Sequence, residues 1–106
     1  INANPMGCYN IINNFLGDSP YHLSLDVDSF DPSVIPHTGT PVGYGIDKSP
    51  GILLLHNLMR KNTLRNMDLT EINPHVNNTH LDNEKLKHSV NYMFFTIDDI
   101  IKPIIN

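Results

Sequence analysis

The stretch that decides the fold is residues 22–32, which read HLSLDVDSFDP. Apolar residues occupy every second position at its start, and this period of two predicts a strand over 21–27 with one buried face. The strand leads directly into three aspartates, Asp26, Asp28 and Asp31. Ligands of α/β sheets bind beyond the carboxyl ends of the strands, so these aspartates are the candidate site.

Asp26 and Asp28 are two residues apart, so a regular strand would point both side chains the same way. Two converging carboxylates repel each other unless a cation neutralises them. Oxygen ligands of this kind suit Mg²⁺ or Mn²⁺. A calcium loop fits poorly because the twelfth position, counted from Asp26, is His37 and not glutamate.

The aspartates also have other interpretations. Asp-x-Asp at the end of a strand can be turn and cap chemistry, and Asp31 before Pro32 is the best candidate for a simple turn former. Metal-dependent glycosyltransferases place the same motif after an apolar strand. So do phosphatases with an aspartate nucleophile, in which Asp26 would attack phosphorus. The Asp26–Asp28 motif by itself does not choose a reaction.

Outward from this strand, helices alternate with strands. The pattern predicts a helix from Pro5 to Leu16, a long loop over 28–48, a helix that begins at Ser49-Pro50, a strand over 64–72, and a last helix from a cap at Asp82 to a stop just before Pro103. Such alternation favours parallel strands joined by right-handed crossovers. A sheet of two strands would leave open edges, so the pattern is typical of part of a larger sheet.

The composition narrows the class of protein. The chain has 106 residues, with 11 acidic and 7 basic side chains and a net charge of −4, which argues against a nucleic-acid partner. No apolar run approaches the roughly 20 residues that span a bilayer, so no membrane association is expected. Cys8 is the single cysteine, and we expect an ordinary helix residue there. Ile1 is neither a translation start nor part of a signal peptide, so we expect a piece of a longer chain.

Two further motifs give the chain a resemblance. Residues 36–41 read PHTGTP and residues 68–74 read DLTEINP, and both follow 22–32 in order. Together the three motifs resemble the ureohydrolase family, and within it the arginases most, with agmatinases and other guanidino hydrolases as the alternative. The resemblance runs over nearly the whole of 1–106, which would be the C-terminal portion of a single ureohydrolase domain.

The resemblance implies a three-layer α/β/α fold with a mainly parallel sheet. It also implies two Mn²⁺ ions and the hydrolysis of arginine to ornithine and urea. By motif match, Asp26 would bridge both ions, Asp28 would bind one, Thr40 would lie in the active-site loop and Glu71 would bind the substrate guanidinium. The family further implies a homo-oligomer, a trimer or hexamer, in the cytoplasm, with mitochondria as the alternative compartment.

The chain also departs from the family pattern. Tyr44 stands where the family has the first glycine of a pair, which predicts a local shift of the loop. The family's Gly-Gly-Asp-His and Asp-Ala-His-x-Asp types of motif are absent from these 106 residues, so we expect the chain alone to be inactive. A catalytically inactive ureohydrolase-like subunit or regulatory partner stays open. We expect His22 at the surface or in packing, and a satisfied core or boundary histidine at His56.

Overall fold

The computed structural model describes residues 1–35, 43–72 and 83–105. They form the helices and strands α1 (Pro5–Leu16), β1 (Tyr21–Asp26), α2 (Lys48–Met59), β2 (Leu64–Thr70) and α3 (Asn83–Ile105), with a 3-10 turn at Val27–Ser29. The predicted order of helix, strand, helix, strand, helix is confirmed. Among the helices in these ranges, none combines the length and apolar composition that crossing a membrane requires.

The two strands pair in parallel, as the sequence predicts. Ser24 lies opposite Asp68 and Asp26 lies opposite Thr70, after a register irregularity between Tyr21 and His22. Side chains alternate across the pair, with an apolar inner face that includes Leu25 and an exposed polar outer face. Both strands therefore end at the same edge of the sheet.

The hydrophobic core lies between the inner face of the sheet and the helices α2 and α3. Its fully buried members are the residues that follow β1 and the inner side of α3: Val27, Phe30, Ile35, Met93 and Ile100. Phe30 and Ile46 form an isolated parallel bridge, and Gly51 of α2 packs against the Phe30 ring so closely that a Cβ would come within 2.6 Å of it. The segment after β1 is thus fixed by packing against α2.

Helix α1 begins as predicted. The Asn4 side chain accepts a hydrogen bond from the Gly7 N–H at 2.9 Å, Pro5 is the first helical residue, and Gly17 follows the end at a φ of 57°. Cys8 lies within this helix, half-buried, as expected.

Three predicted boundaries are wrong by one or two residues. Strand β2 ends at Thr70 and not at residue 72. Strand β1 ends at Asp26 and not at residue 27, because the chain turns into the 3-10 helix there and buries Val27 completely. Helix α2 begins at Lys48, with Asp47 as its cap residue, and Asp47 makes no side-chain cap hydrogen bond. Ser49, predicted as the cap, lies inside the first turn. The predicted cap at Asp82 lies outside the described residues.

Helix α3 continues through Pro103, where the sequence predicts a stop. A proline in a helix lacks the N–H that would bond to the carbonyl four residues earlier, here Asp99. That carbonyl accepts a hydrogen bond from His56 Nε2 of α2 at 2.6 Å. His56 therefore takes the place of the missing proline donor, which confirms its prediction as a satisfied boundary histidine.

Candidate metal and substrate site

The chain turns sharply where β1 ends, and the turn brings Asp28 back toward Asp26. The Asp28 N–H donates to Asp26 Oδ1 at 3.2 Å, and the Ser29 hydroxyl donates to the Asp26 carbonyl at 2.5 Å. The sequence predicts that a regular strand points both side chains the same way. They converge instead because of this 3-10 turn.

The carboxyl groups of Asp26 and Asp28 interact directly. A hydrogen bond with the Asp28 side chain is the main cause that raises the pKa of Asp26 above its ordinary value, followed by some loss of hydration and by the negative charges of Asp28 and Glu71, while the bond from the Asp28 N–H acts in the opposite direction. Two neighbouring carboxylates raise a pKa in this way because both cannot ionise freely. This end of the sheet is therefore electrostatically suited to a cation.

Glu71 belongs to the same cluster of side chains. Asp26 pairs with Thr70 in the register, so Glu71 is the first residue beyond the paired end of β2. Its side chain is exposed, and its φ of 69° puts its backbone in the left-handed region that non-glycine residues seldom adopt. The structure thus brings Asp26 and Asp28 into contact and leaves Glu71 near enough for its charge to act on Asp26. The fourth predicted site residue, Thr40, lies outside the described residues, as does His37.

Asp31 has a structural role, as the turn interpretation of this residue predicts. Its carboxylate accepts hydrogen bonds from the Ser33 N–H at 3.0 Å, the Ser33 hydroxyl at 2.7 Å and the Gly45 N–H at 3.3 Å. The bonds from Ser33 are the main cause that lowers the pKa of Asp31. Asp31 therefore anchors the residues around Gly45 to the end of the β1 turn.

The loop at Tyr44 shows how the departure from the family pattern is accommodated. Tyr44 adopts a φ of 59°, and its side chain is fully exposed. Gly45 instead makes the close approach, because a Cβ there would lie 2.6 Å from the backbone nitrogen of Asp31. Gly45 thus stands where close packing requires a glycine. Tyr44 stands where the positive φ favours one.

A hydrogen-bonded cluster on the outer face of the sheet is not among the sites predicted from the sequence. Asp68 accepts from the ring of His22 at 2.8 Å and from the hydroxyl of Ser24 at 2.7 Å. The two bonds, with that of Ser24 the larger cause, lower the pKa of Asp68. His22 is an exposed surface residue, as expected. The signal that could have revealed the cluster is the placement of His22, Ser24 and Asp68 on the polar face of alternating strands.

A cavity of about 310 Å³ lies beside the turn and is lined by Ser29, Tyr44, Gly45 and the first residues of the chain. Neither Asp26 nor Glu71 lines it. We therefore place the candidate site at the carboxylate cluster, and not in this cavity.

The carboxylate oxygens of the cluster are the ligand type that a hard divalent cation prefers, but they are too few to hold one. Asp26 and Asp28 supply carboxylate oxygens, which Mn²⁺ accepts. Within residues 1–35, 43–72 and 83–105, however, no group of three or more histidine, cysteine, aspartate or glutamate side chains has an arrangement that could hold a metal ion. The two aspartates fit part of a ligand set.

Known proteins resemble the chain in sequence and in structure. Mouse mitochondrial arginase-2 is 42% identical over 57 residues, which are 54% of this chain and 16% of the mouse protein. Rabbit arginase-1 is 42% identical over 60 residues, which are 57% of this chain and 19% of that protein. The chain therefore matches less than a fifth of the length of these curated relatives.

The crystal structure of Entamoeba histolytica arginase in complex with L-ornithine superimposes with a TM-score of 0.71 at 26% identity, over 91% of this chain and 30% of that one. The arginase-like α/β fold is thereby confirmed, with only part of it present in this chain. A sequence model of the arginase family matches residues 2–95. The chain belongs to the arginase family.

Proposed function

We propose that the whole protein is a manganese-dependent arginase that hydrolyses arginine to ornithine and urea. Residues 1–106 would be the C-terminal portion of its single ureohydrolase domain. The observation that carries the proposal is the pairing of Asp26 with Asp28 at the carboxyl end of one parallel strand, with Glu71 directly after the end of the neighbouring strand. Membership of the arginase family supports the choice of reaction among those that an Asp-x-Asp motif can serve.

Asp26 would bridge two Mn²⁺ ions and Asp28 would bind one of them. The raised pKa of Asp26 supports this role, because a cation relieves the repulsion between the neighbouring carboxylates. The bound ions would supply Lewis acidity and lower the pKa of a water toward neutrality. Further ligands would come from outside the described residues.

Glu71 would bind the guanidinium group of the substrate. A carboxylate holds a guanidinium through paired, charge-assisted hydrogen bonds and so fixes its orientation. The left-handed backbone of Glu71 supports this role, because strained backbone is found preferentially at functional sites. Thr40 is proposed to lie in the active-site loop, on the resemblance alone.

The remaining properties of the whole protein are proposed from the family resemblance. We propose a small guanidino substrate as its partner and a homo-oligomer, a trimer or hexamer, as its assembly. We propose the cytoplasm as its compartment. Mitochondria are the alternative, which the name of the mouse mitochondrial relative supports.

The test is urea release by the whole protein with Mn²⁺, using arginine and agmatine in parallel. Glu71→Gln should lower kcat/KM for arginine by about 10–100-fold, because one charge-assisted contact to the substrate is lost. Asp28→Asn should lower the Mn²⁺ content measured by elemental analysis. Asp98→Asn, the same change on the exposed side of α3, is the matched control.

Three outcomes would revise the proposal. Turnover of agmatine but not arginine would make the protein an agmatinase. Equal activity of Glu71→Gln and the control would remove the substrate role of Glu71. No urea from any guanidino substrate would favour the inactive ureohydrolase-like subunit.

A further inference from the structure

The cluster on the outer face of the sheet joins the two strands through side chains. A single carboxylate of β2, that of Asp68, uses one oxygen for His22 and the other for Ser24, both on β1. The histidine and aspartate side chains are each about half exposed, at 46% and 47%. This is a two-point bridge across the strand pair in addition to the backbone ladder.

Serine, histidine and aspartate can also form a nucleophilic triad, but the connections here are in the wrong order. In a triad the serine hydroxyl bonds to the histidine, which removes its proton, and the aspartate orients the histidine. Here the Ser24 hydroxyl donates to Asp68, and the Nε2 atom of His22 is also directed to Asp68. The cluster therefore ties side chains together and does not activate the serine.

The bridge lies between an irregularity in the sheet and the candidate site. The register slips between Tyr21 and His22, and regular pairing begins at His22. The Ser24–Asp68 pair lies two residues before the Asp26–Thr70 pair, so both pairs are on the same face of the sheet. A slip of one residue in this register would turn the side chains of one strand to the opposite face.

We propose that Asp68 is a positioning residue, which holds His22 and Ser24 so that Glu71 and Asp26 meet at the same edge of the sheet. This inference rests on the proposed function for the roles of Asp26 and Glu71. The bonds from Ser24 and His22 both favour the charged form of Asp68, and hydrogen bonds to a charged acceptor are the stronger kind. Glu71 is three residues beyond Asp68, so a change in the β1–β2 register displaces it directly.

The experiment compares Asp68→Asn with Asp98→Asn in the whole protein, with rates expressed per folded, Mn²⁺-loaded enzyme. Asp68→Asn keeps the size of the side chain but removes the charge and one acceptor oxygen. We expect it to lower kcat/KM by roughly tenfold or more, because small displacements of a positioning group have large effects on rate. Ser24→Ala removes one of the two bonds and should give a smaller loss of kcat/KM. This variant replaces Asp68→Asn in the test if Asp68→Asn does not fold. Asp98→Asn should leave kcat/KM unchanged.

The coupling to Glu71 separates positioning from stability. In a Glu71→Gln background, Asp68→Asn should lower kcat/KM less than twofold further, if it acts through Glu71. Full additivity of the two losses, or a lower thermal midpoint with unchanged kcat and KM, would overturn the proposal.

If the wild-type protein releases no urea, the proposed function fails, and the bridge is tested by nuclear magnetic resonance. Asp68→Asn should then weaken the cross-strand nuclear Overhauser contacts between residues 26 and 70, and Asp98→Asn should not. Unchanged contacts in Asp68→Asn would overturn the bridge itself.

Discussion

At the scale of single residues, ionised Asp26 is disfavoured in the folded chain because the Asp28 side chain and the charge of Glu71 lie beside it. A raised pKa means that the folded state binds the proton more tightly than the unfolded state, whose value is about 3.9. Stability should therefore fall as pH rises from about 3.9 through the folded pKa of Asp26. Asp26→Asn should remove this penalty and raise the thermal midpoint at pH 7 in the presence of EDTA.

The pH and metal dependence of that gain identify its cause. The gain should disappear below about pH 3.9, where the carboxyl is protonated in both states. Saturating Mn²⁺ should reverse it, because the wild-type carboxylate then gains a ligand that asparagine replaces poorly. A gain that is the same with and without Mn²⁺ would contradict a metal role for Asp26. Asp47→Asn, an exposed aspartate outside the cluster, is the control.

Tyr44 carries a backbone penalty that can be measured separately from its ring. A left-handed residue with a Cβ is strained by roughly 1–2 kcal/mol, and glycine avoids the strain at an entropic penalty of about 0.5–1 kcal/mol. Tyr44→Gly should therefore stabilise the protein by about 0.5–1 kcal/mol in urea unfolding. Tyr44→Ala keeps the strained backbone and removes only a fully exposed ring, so its stability should stay near the wild type. Equal effects of both variants would show that the backbone angle is not the cause.

Single residues show where prediction from the sequence succeeds. The proximity of Asp26 and Asp28 is predictable from their spacing, but the sequence attributes it to a regular strand, whereas the 3-10 turn produces it. The left-handed backbone of Glu71 was not predicted, since glutamate carries no propensity for it. The bonds of Asp68 to His22 and Ser24 were missed because they depend on a register between segments more than 40 residues apart. Thr40 remains a prediction.

At the scale of the elements, α2 and α3 are connected by the hydrogen bond from His56 to the carbonyl of Asp99. His56→Ala should destabilise the protein by about 1–2 kcal/mol, because it leaves a carbonyl without its donor next to Pro103. Pro103→Ala supplies a backbone N–H to the same carbonyl. In the Pro103→Ala background, the loss caused by His56→Ala should therefore be smaller by roughly 1 kcal/mol.

The side chain of Asp99 provides a control at the same residue. Asp99→Asn leaves the carbonyl in place and removes only an exposed ion pair with Lys48, in which the nitrogen and oxygen are 3.8 Å apart. Such pairs contribute little, so the change should be small. If His56→Ala has the same effect with and without Pro103, the ring does not substitute for the missing donor. Unfolding in urea measures all four variants.

The boundaries of the elements were predicted less well than their order. Ser49-Pro50 has the local signature of a helix start, but α2 begins at Lys48. Pro103 has the signature of a stop, but α3 continues because a residue of another helix satisfies the free carbonyl. At Pro103 the local signal fails because a tertiary contact replaces the hydrogen bond that the proline cannot make.

At the scale of the whole molecule, the chain matches 30% of the Entamoeba histolytica arginase chain. It therefore leaves exposed the surfaces that the rest of such a fold would cover. The sheet has two strands in the described ranges, so both have an outer face and an open edge. Ile11 and Phe15 lie four residues apart on one face of α1 and are 72% and 89% exposed. Exposed apolar groups arranged in this way favour association.

The isolated chain of 106 residues should therefore associate or be only partly ordered in solution. Size-exclusion chromatography with light scattering should give a mass that rises with concentration above the 12.0 kDa of one chain. Replacing Ile11 and Phe15 by lysine should reduce the association, because it breaks the apolar face and adds charge. Asn14→Lys adds charge on the same helix without removing an apolar side chain, so it separates the two effects. A soluble monomer with one sharp, cooperative thermal transition would contradict the prediction, because it would mean that α2, α3 and the inner face of two strands suffice as a stable core.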